Sequence, residues 1–364
     1  MAELRLRMLA AVMAFATASC CCGGLPGGHR QARVPERQPD VDGAGPVLPV
    51  PDHASEPAAP RRHRGQPGSA RACADAERDA SGGRGGVGAL HGVPVLLKDN
   101  SATRDRLNTT AGSLALLGSV VRRDAGVASR LRRAGVVILG KANPSSEWSN
   151  FRPVESGWSA RGGQTLNPYV LSSSPCGSSA GPGVAAAANM AAVTLGSETD
   201  GSILWPSSAN SVVGIKPTVG LTSRSGVVPI TPRQDTIGPM CRTVSDAVHV
   251  LDAIVGYDAL DAEATGAASK YIPPGTTPKH SPNNEVKGQK DRGIDAQNQG
   301  VYKNHLRTMR QHGAIVIEDI DIAVNMTDLY TQETIAMNAE FKISLNAYLS
   351  ETYCTPPSGH LQKS

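Results

Sequence analysis

Short apolar runs alternate with helical patterns along the chain from residue 90 onward. Val93 to Leu97 is an uninterrupted apolar run, which predicts a buried strand. Asp124 can cap a following helix in which Val127 and Leu131 lie on one face, and Gly135 can end that helix. This alternation of strands with helices predicts an α/β fold.

The same alternation continues through the middle and the later part of the chain. Further strands are predicted at 136–139, 192–195, 212–215 and 314–317. Further helices are predicted at 184–192, from Ser245 or Asp246 onward, at 306–313 and at 331–349. Residues 274–300 are polar and have no periodicity, so we predict a loop there.

The first 85 residues differ in composition from the rest of the chain. Arg5 and Arg7 precede an apolar run over 8–18, which predicts a secretory signal peptide over 1–18. That run is too short to cross a bilayer, so no stable membrane span is expected. Residues 19–85 are rich in Pro, Gly and Arg, which predicts disorder before a single domain over 86–364. We expect an extracellular or vacuolar protein, with a cytoplasmic one as the alternative.

Charge and composition argue against two classes of function. The net charge of +4 comes from arginine clusters in the Pro/Gly-rich segment and on the helix near Arg132. Because no aromatic residues interleave with these charges, no nucleic-acid partner is expected. The seven cysteines and nine histidines lack metal-ligand spacing, so no metal site is expected.

Two serine-rich turns flank the predicted alanine-rich helix. The first turn holds Ser178 and Ser179 between glycines, and the second, residues 199–202, ends in Ser202. Lys98 follows the first apolar strand, where burial would keep its amine neutral. A serine nucleophile needs an adjacent base to accept its proton. The two leading serines and this lysine therefore form a candidate hydrolase site.

Each of these residues also has a structural interpretation. Lys98 can be a surface lysine at a strand end, and the residues alone leave both interpretations open. The first turn can be a Gly/Ser linker, and Ser202 can be the N-cap of a helix. In the second turn, backbone N–H groups can point at one place and stabilise an oxyanion.

These turns, together with Lys98, resemble the amidase signature family, in particular its plant-type and peptide-amidase branch. The resemblance extends from Ala70 to Ile272, and more weakly to Tyr348. It implies a mixed central sheet with helices on both faces. The implied roles are Lys98 as the base, Ser178 as the bridging serine after a cis peptide bond, Ser202 as the nucleophile, the amides of Thr199, Asp200, Gly201 and Ser202 as the oxyanion hole, and Ser179, Asp235 and Arg242 as supporting residues.

The resemblance implies hydrolysis of a carboxamide through an acyl-enzyme, with no cofactor. The implied partner is a small-molecule or peptide amide, and a homodimer is predicted as well. Because family members are longer, we expect an incomplete fold that is shortened at both ends. Two alternatives stay open: a catalytically inactive truncated paralogue or gene fragment, and an ammonia-releasing protein like the corresponding component of a tRNA-dependent amidotransferase.

Overall fold

The computed structural model describes residues 63–65, 89–145, 155–272, 285–289, 296–320 and 326–354. The predicted signal peptide over 1–18 lies outside these residues, as does most of the segment over 19–85. Within that segment the prediction of disorder is wrong at His63–Gly65, which form a strand. This strand pairs antiparallel with residues 140–142 through backbone hydrogen bonds.

The described residues contain both strands and helices. The strands are β1 (His63–Gly65), β2 (Pro94–Lys98), β3 (Val137–Ala142), β4 (Trp158–Ser159), β5 (Gly163–Gln164), β6 (Val193–Glu198), β7 (Val213–Gly214), β8 (Thr236–Cys241), β9 (Glu285–Gln289) and β10 (Ile315–Ile320). The helices are α1 (Gly126–Arg133), α2 (Ala180–Ala187), α3 (Leu204–Ala209), α4 (Val244–Ile254), α5 (Ala262–Ser269), α6 (Ala296–Gln311) and α7 (Met326–Thr352). Short 3-10 helices lie at Leu114–Leu116 and Ala259–Asp261.

A six-stranded mixed sheet with the order β1-β3-β2-β6-β8-β7 organises the molecule. Strands β3, β2 and β6 are parallel, whereas β8 runs antiparallel to β6 and pairs Thr236 with Glu198. The ends of β2 and β6 and the start of β8 therefore lie at one edge of the sheet. In open α/β sheets, ligands bind outside the carboxyl ends of parallel strands.

Helices cover both faces of this sheet, as predicted. On one face, α1 and α4 pack on the sheet through an aliphatic core that includes Val95 and Leu97. On the other face, α2 packs through Ala185 against Leu96. Consecutive residues of β2 thus enter opposite cores, as the alternation of side chains along a strand requires. An apolar run without polar interruptions fits a strand that is buried on both faces.

Two helices begin at other residues than the sequence predicts. Helix α1 begins after Ala125, whereas the side chain of Asp124 accepts hydrogen bonds from Arg104 N and Arg132 Nε. Helix α4 begins after Thr243 rather than at Ser245 or Asp246. The Thr243 hydroxyl accepts a hydrogen bond from Asp246 N and donates one to the Asp246 carboxylate. Thr243 thus caps the helix by pairing with Asp246, the third helical residue.

Helix α2 is displaced toward the first serine-rich turn relative to the predicted helix at 184–192. It begins directly after Ser179 and includes Pro182, whose missing N–H costs nothing in a first turn. The helix ends at Ala187, and Asn189 then adopts a left-handed conformation with φ of 57°. The helix therefore leads straight out of the turn that holds Ser178.

The later part of the chain is more regular than predicted. The loop predicted over 274–300 contains β9, which pairs in parallel with β10, and it also contains the start of α6. The predicted helix and strand at 306–317 are confirmed within α6 and β10, and the predicted helix at 331–349 lies within α7. Within the described ranges, none of the helices combines the length and the apolar character that crossing a membrane requires.

Candidate active site

Lys98 and Ser178 meet at the sheet edge where β2 ends. The amine of Lys98 donates a hydrogen bond to Ser178 Oγ at 2.5 Å and another to the backbone carbonyl of Ser197 at 3.2 Å. Only 3% of Lys98 is exposed, and the same holds for Ser178 and Ser202. The interpretation of Lys98 as a surface lysine is therefore wrong. Residues 80 positions apart along the chain are brought into contact by strand pairing.

Backbone contacts on both sides hold the first serine-rich turn. The Gly177–Ser178 peptide bond is cis, as the resemblance implies. The carbonyl of Ser178 accepts a hydrogen bond from Ser145 N at 2.8 Å, and the N–H of Ser179 donates one to the Ser202 carbonyl at 3.1 Å. The two serine-rich turns are therefore adjacent, as predicted, and the alternative of a flexible Gly/Ser linker is wrong.

The side chain of Ser179 attaches the first serine-rich turn to strand β6. Its hydroxyl donates to the carbonyl of Ser197 at 3.0 Å and accepts from the N–H of the same residue at 3.3 Å. The carbonyl of Ser197 thus receives hydrogen bonds from both Ser179 and Lys98. This shared acceptor on β6 fixes the lysine amine relative to the first turn.

The second turn, residues 199–202, connects β6 to α3. Its Gly201 has φ of 79°, and a Cβ atom at this position would lie 2.6 Å from the ring of Trp205. Glycine is therefore required at Gly201 for both conformational and steric reasons. Ser202 is the last residue of this turn, and the start of helix α3 follows it directly.

Glu198, which the sequence analysis missed, caps that helix. Its buried carboxylate accepts hydrogen bonds from Ile203 N at 2.7 Å and Leu204 N at 2.9 Å. The N-cap position of α3 is Ile203, so the interpretation of Ser202 as an N-cap is wrong. A carboxylate at the N-terminus of a helix satisfies free N–H groups and interacts favourably with the helix dipole.

Asp235 connects the second turn to the loop before β8. One carboxylate oxygen accepts from the Thr199 hydroxyl at 2.5 Å, and the other accepts from Ile230 N and Thr231 N at 2.7 and 3.0 Å. Burial raises the pKa of Asp235, and these hydrogen bonds oppose the rise. The predicted supporting position of Asp235 thus corresponds to direct contacts with the turn.

Arg242 lies elsewhere. It follows the opposite end of β8, is exposed, and donates to the side chain of Asn189. The cation that interacts electrostatically with Asp235 is Arg224, which forms an ion pair with Asp261 at 2.6 Å. The structure therefore places Arg242 outside the candidate site and Arg224 within it.

A buried ionic cluster lies directly behind Lys98. Arg161 donates to the Asp99 carboxylate at 2.9 Å, and the Thr110 hydroxyl donates to the same oxygen at 2.5 Å. The amine of Lys141 donates to the carbonyl of Ser101. Burial lowers the pKa of Lys141 to about 8, and the charge of Asp99 opposes this shift. Residues following Lys98 are thus held by an ion pair and by hydrogen bonds that are largely enclosed.

A cavity of about 450 Å³ opens from Lys98 and Ser178. Its walls include Thr199, the loop 224–230 and the last two turns of α7. Ligand pockets of small molecules span about 300–1,000 Å³. The cavity is therefore large enough to admit a small amide next to the two catalytic candidates. Within the described residues, no cluster of His, Cys, Asp and Glu has the arrangement of a metal site.

The chain matches the Amidase family model over residues 67–352. It is 59% identical over 274 residues to a probable amidase of Arabidopsis thaliana, a match that covers 73% of this chain and 52% of the relative. A match to a component of the glutamyl-tRNA(Gln) amidotransferase of Symbiobacterium thermophilum is 41% identical over 207 residues and covers 57% of this chain and 41% of that one. The chain spans about half the length of the curated relatives it matches.

Among solved structures, the peptide amidase of Stenotrophomonas maltophilia is similar to this chain with a TM-score of 0.70 and 40% identity. The match covers 80% of this chain and 60% of that structure. The sequence and the fold of this chain are therefore both similar to those of amidases.

Proposed function

The chain belongs to the amidase family, and on that basis we propose that it hydrolyses a carboxamide bond with Ser202 as the nucleophile, Ser178 as the proton relay and Lys98 as the base. The observation that carries this proposal is the buried 2.5 Å contact between Lys98 Nζ and Ser178 Oγ. Burial disfavours the charged form of an amine. A neutral Lys98 can accept the proton of the Ser178 hydroxyl, which in turn accepts the proton of Ser202.

In the first half-reaction, Ser202 Oγ attacks the carbonyl carbon of the amide. Backbone N–H groups of the turn 199–202 stabilise the negative charge on the carbonyl oxygen. The N–H groups of Ile203 and Leu204 do not take part, because they already donate to the Glu198 carboxylate. The protonated Lys98 returns its proton through Ser178 to the leaving amine, and the C–N bond breaks. Water then attacks the acyl-enzyme by the same route and releases the carboxylic acid.

A second candidate function is the release of ammonia from glutamine for a partner enzyme. It is supported by the 41% identity to the amidotransferase component, although the identity to the plant probable amidase is higher. Both functions use the same triad, and they differ in substrate. Ammonia release from free glutamine that exceeds turnover of simple amides would favour this second function. A homodimer and a secretory route are proposed from the sequence in addition.

The proposal is tested by labelling the purified chain with a fluorophosphonate probe and mapping the modified peptide. We expect labelling at Ser202, loss of labelling in Ser202→Ala, and a decrease of about 100-fold or more in the labelling rate in Lys98→Ala, because general-base catalysis contributes at least that much. The exposed residues Ser245 and Lys270 provide matched controls. Ser245→Ala and Lys270→Ala should label at the rate of the unchanged protein.

Two results would contradict the proposal. Labelling that persists in Ser202→Ala would place the nucleophile elsewhere. An absence of labelling in protein whose circular dichroism and cooperative melting show a folded state would favour the inactive paralogue. In the active case, a panel of amides with released amine as the readout then identifies the acyl and amine groups that the enzyme accepts.

A further inference from the structure

Two arginines line the cavity beside Lys98, and they differ in their partners. Arg224 forms an ion pair with Asp261 and also donates to the carbonyl of Pro232. In Arg123, by contrast, the Nε atom is buried and has no hydrogen-bond partner in the described part of the chain. Arg123 as a whole is half-buried, so the donors that a ligand in the cavity can reach are the terminal nitrogens of its guanidinium group, and the enclosed Nε is not one of them.

The backbone on both sides of Arg123 is held by neighbouring segments. Before it, Arg122 N donates to the Thr352 carbonyl at 2.7 Å, at the end of α7. After it, Gly126 N donates to the Ser225 carbonyl at 2.9 Å. Thr352 and Ser225 both line the same cavity. The guanidinium group is thus presented at the cavity wall from a fixed backbone, which is a requirement for selective recognition.

The acidic residues of the cavity leave this arginine available. Asp261 is neutralised by Arg224, and Asp235 is occupied by Thr199 and two backbone N–H groups. Glu263 and Glu351 are exposed and therefore retain their contact with water. The two terminal nitrogens of a guanidinium group can bind a carboxylate through two parallel hydrogen bonds.

We propose that Arg123 binds a carboxylate of the substrate, so that the preferred substrates are amides that carry an acidic group away from the bond that is cleaved. The statement that such amides are substrates rests on the proposed hydrolase function. Binding of the carboxylate by Arg123 does not depend on that function. The carboxylate would lie against the wall formed by Ser225 and Thr352, and the amide carbonyl would lie beside Ser178.

The test compares para-nitroanilides of dicarboxylic acids (glutaryl and adipoyl) with those of neutral straight-chain acids of similar length. We expect the unchanged enzyme to prefer the acidic member by about tenfold or more in kcat/KM, in line with a charge-assisted hydrogen bond. Arg123→Gln should remove this preference through KM for the acidic substrates, and Arg123→Lys should restore part of it. Arg106→Gln removes a positive charge from an exposed residue and should leave the preference unchanged.

Binding of the same compounds to Ser202→Ala, measured by calorimetry, separates the inference from the hydrolase function. If no compound is cleaved but the acidic ones bind in an Arg123-dependent manner, the binding site is confirmed and the hydrolase function fails. If Arg123→Gln weakens acidic and neutral compounds equally, or if the acidic compounds have no advantage with the unchanged enzyme, the inference is overturned. Melting temperatures of the variants show whether each one is folded.

Discussion

Single buried carboxylates determine the shape of the candidate site at the scale of the residue. Glu198 holds the first turn of α3, and Asp235 holds Thr199 together with the loop at 230–231. Both use their oxygens mainly for backbone N–H groups, which are strong and directional donors. The two carboxylates thus fix the turn 199–202 from both of its ends. This rigidity is what stabilisation of an oxyanion by preorganised N–H groups requires.

Lys141 provides a pH prediction at the same scale. Its pKa falls from 10.5 to about 8 on burial, so between these values the unfolded chain binds a proton that the folded chain lacks. The free energy of unfolding should therefore rise with pH across this window, by on the order of 3 kcal/mol from this residue. Urea denaturation of the unchanged protein and of Lys141→Met at several pH values isolates the contribution.

Other groups titrate in the same pH range and change the stability of both proteins alike. The quantity to compare is therefore the difference in the free energy of unfolding between Lys141→Met and the unchanged protein. Lys141→Met should be the more stable protein below pH 8 and should lose this advantage as the pH rises toward 10.5. A difference that stays constant with pH would show that the amine of Lys141 is charged in the folded state at all of these values.

At the scale of the element, α2 depends on a close approach to the segment that follows β3. The N–H of Gly181 donates to the Asn143 carbonyl at 2.9 Å, and a Cβ atom on Gly181 would lie 2.3 Å from that oxygen. Backbone atoms cannot move away as a side chain can. The start of α2, and with it the position of Ser178, therefore requires glycine at this residue.

A pair of helical glycines gives a prediction with opposite signs. Gly181→Ala should destabilise the protein by roughly 1–3 kcal/mol because the added methyl group overlaps with Asn143. Gly266→Ala in α5 should stabilise it by roughly 0.5–1 kcal/mol, because its nearest neighbour is 3.9 Å away and alanine favours the helix. Thermal or urea unfolding measures both. Equal effects of the two substitutions would contradict the close approach of α2 to Asn143.

An element can be predicted from the sequence when the residues that cause it to form lie within the element itself. Strand β2 and the position of Lys98 are predictable because an unbroken apolar run needs burial on both faces. The start of α2 is not, since Gly181 and Pro182 disfavour a helix interior but are tolerated in a first turn. The same holds for α3, whose capping group is Glu198, a residue that lies before the helix at the end of a different element.

Site residues divide in the same way. Lys98, Ser178 and Ser202 occur in short motifs, so the resemblance to a family identifies them. Arg224 and Arg123 do not, because their loops carry no periodic pattern and their relation to the cavity depends on strand pairing and on the end of α7. The sequence could have indicated Arg224 only through its separation of eleven residues from Asp235 in one loop. That spacing alone specifies no contact.

At the scale of the whole molecule, α7 is joined to the rest of the structure unevenly. Its last turns contribute Tyr348 to the main core, and Tyr353, which follows the helix, donates from its hydroxyl to the Thr109 carbonyl at 3.1 Å. Toward its start, Ile335 is 59% exposed, and the contact of Glu340 with Arg233 involves a side chain that is 73% exposed. An ion pair with such an exposed partner contributes little stability.

Hydrogen exchange should therefore divide α7 into two parts. We expect amides over 327–343 to exchange on the timescale of local opening, and amides over 345–352 to be protected to a level near that of β6, because local stability follows buried apolar contacts. Mass spectrometry of deuterated peptides measures both parts, with β6 as the internal reference. Uniform protection along α7 would contradict this division and would indicate that another surface covers its first half.

The parallel pairing of β2 with β6 also determines when the proposed site can form during folding. Lys98 and Ser178 are separated by 80 residues, and the strands that bring them together must close a loop of comparable length. Long-range parallel pairing forms slowly because the entropy of loop closure is lost before contacts compensate for it. Lys98 therefore cannot contact Ser178 before this pairing is complete. On the proposed mechanism, a newly made chain would thus have no reactive serine until its sheet is assembled.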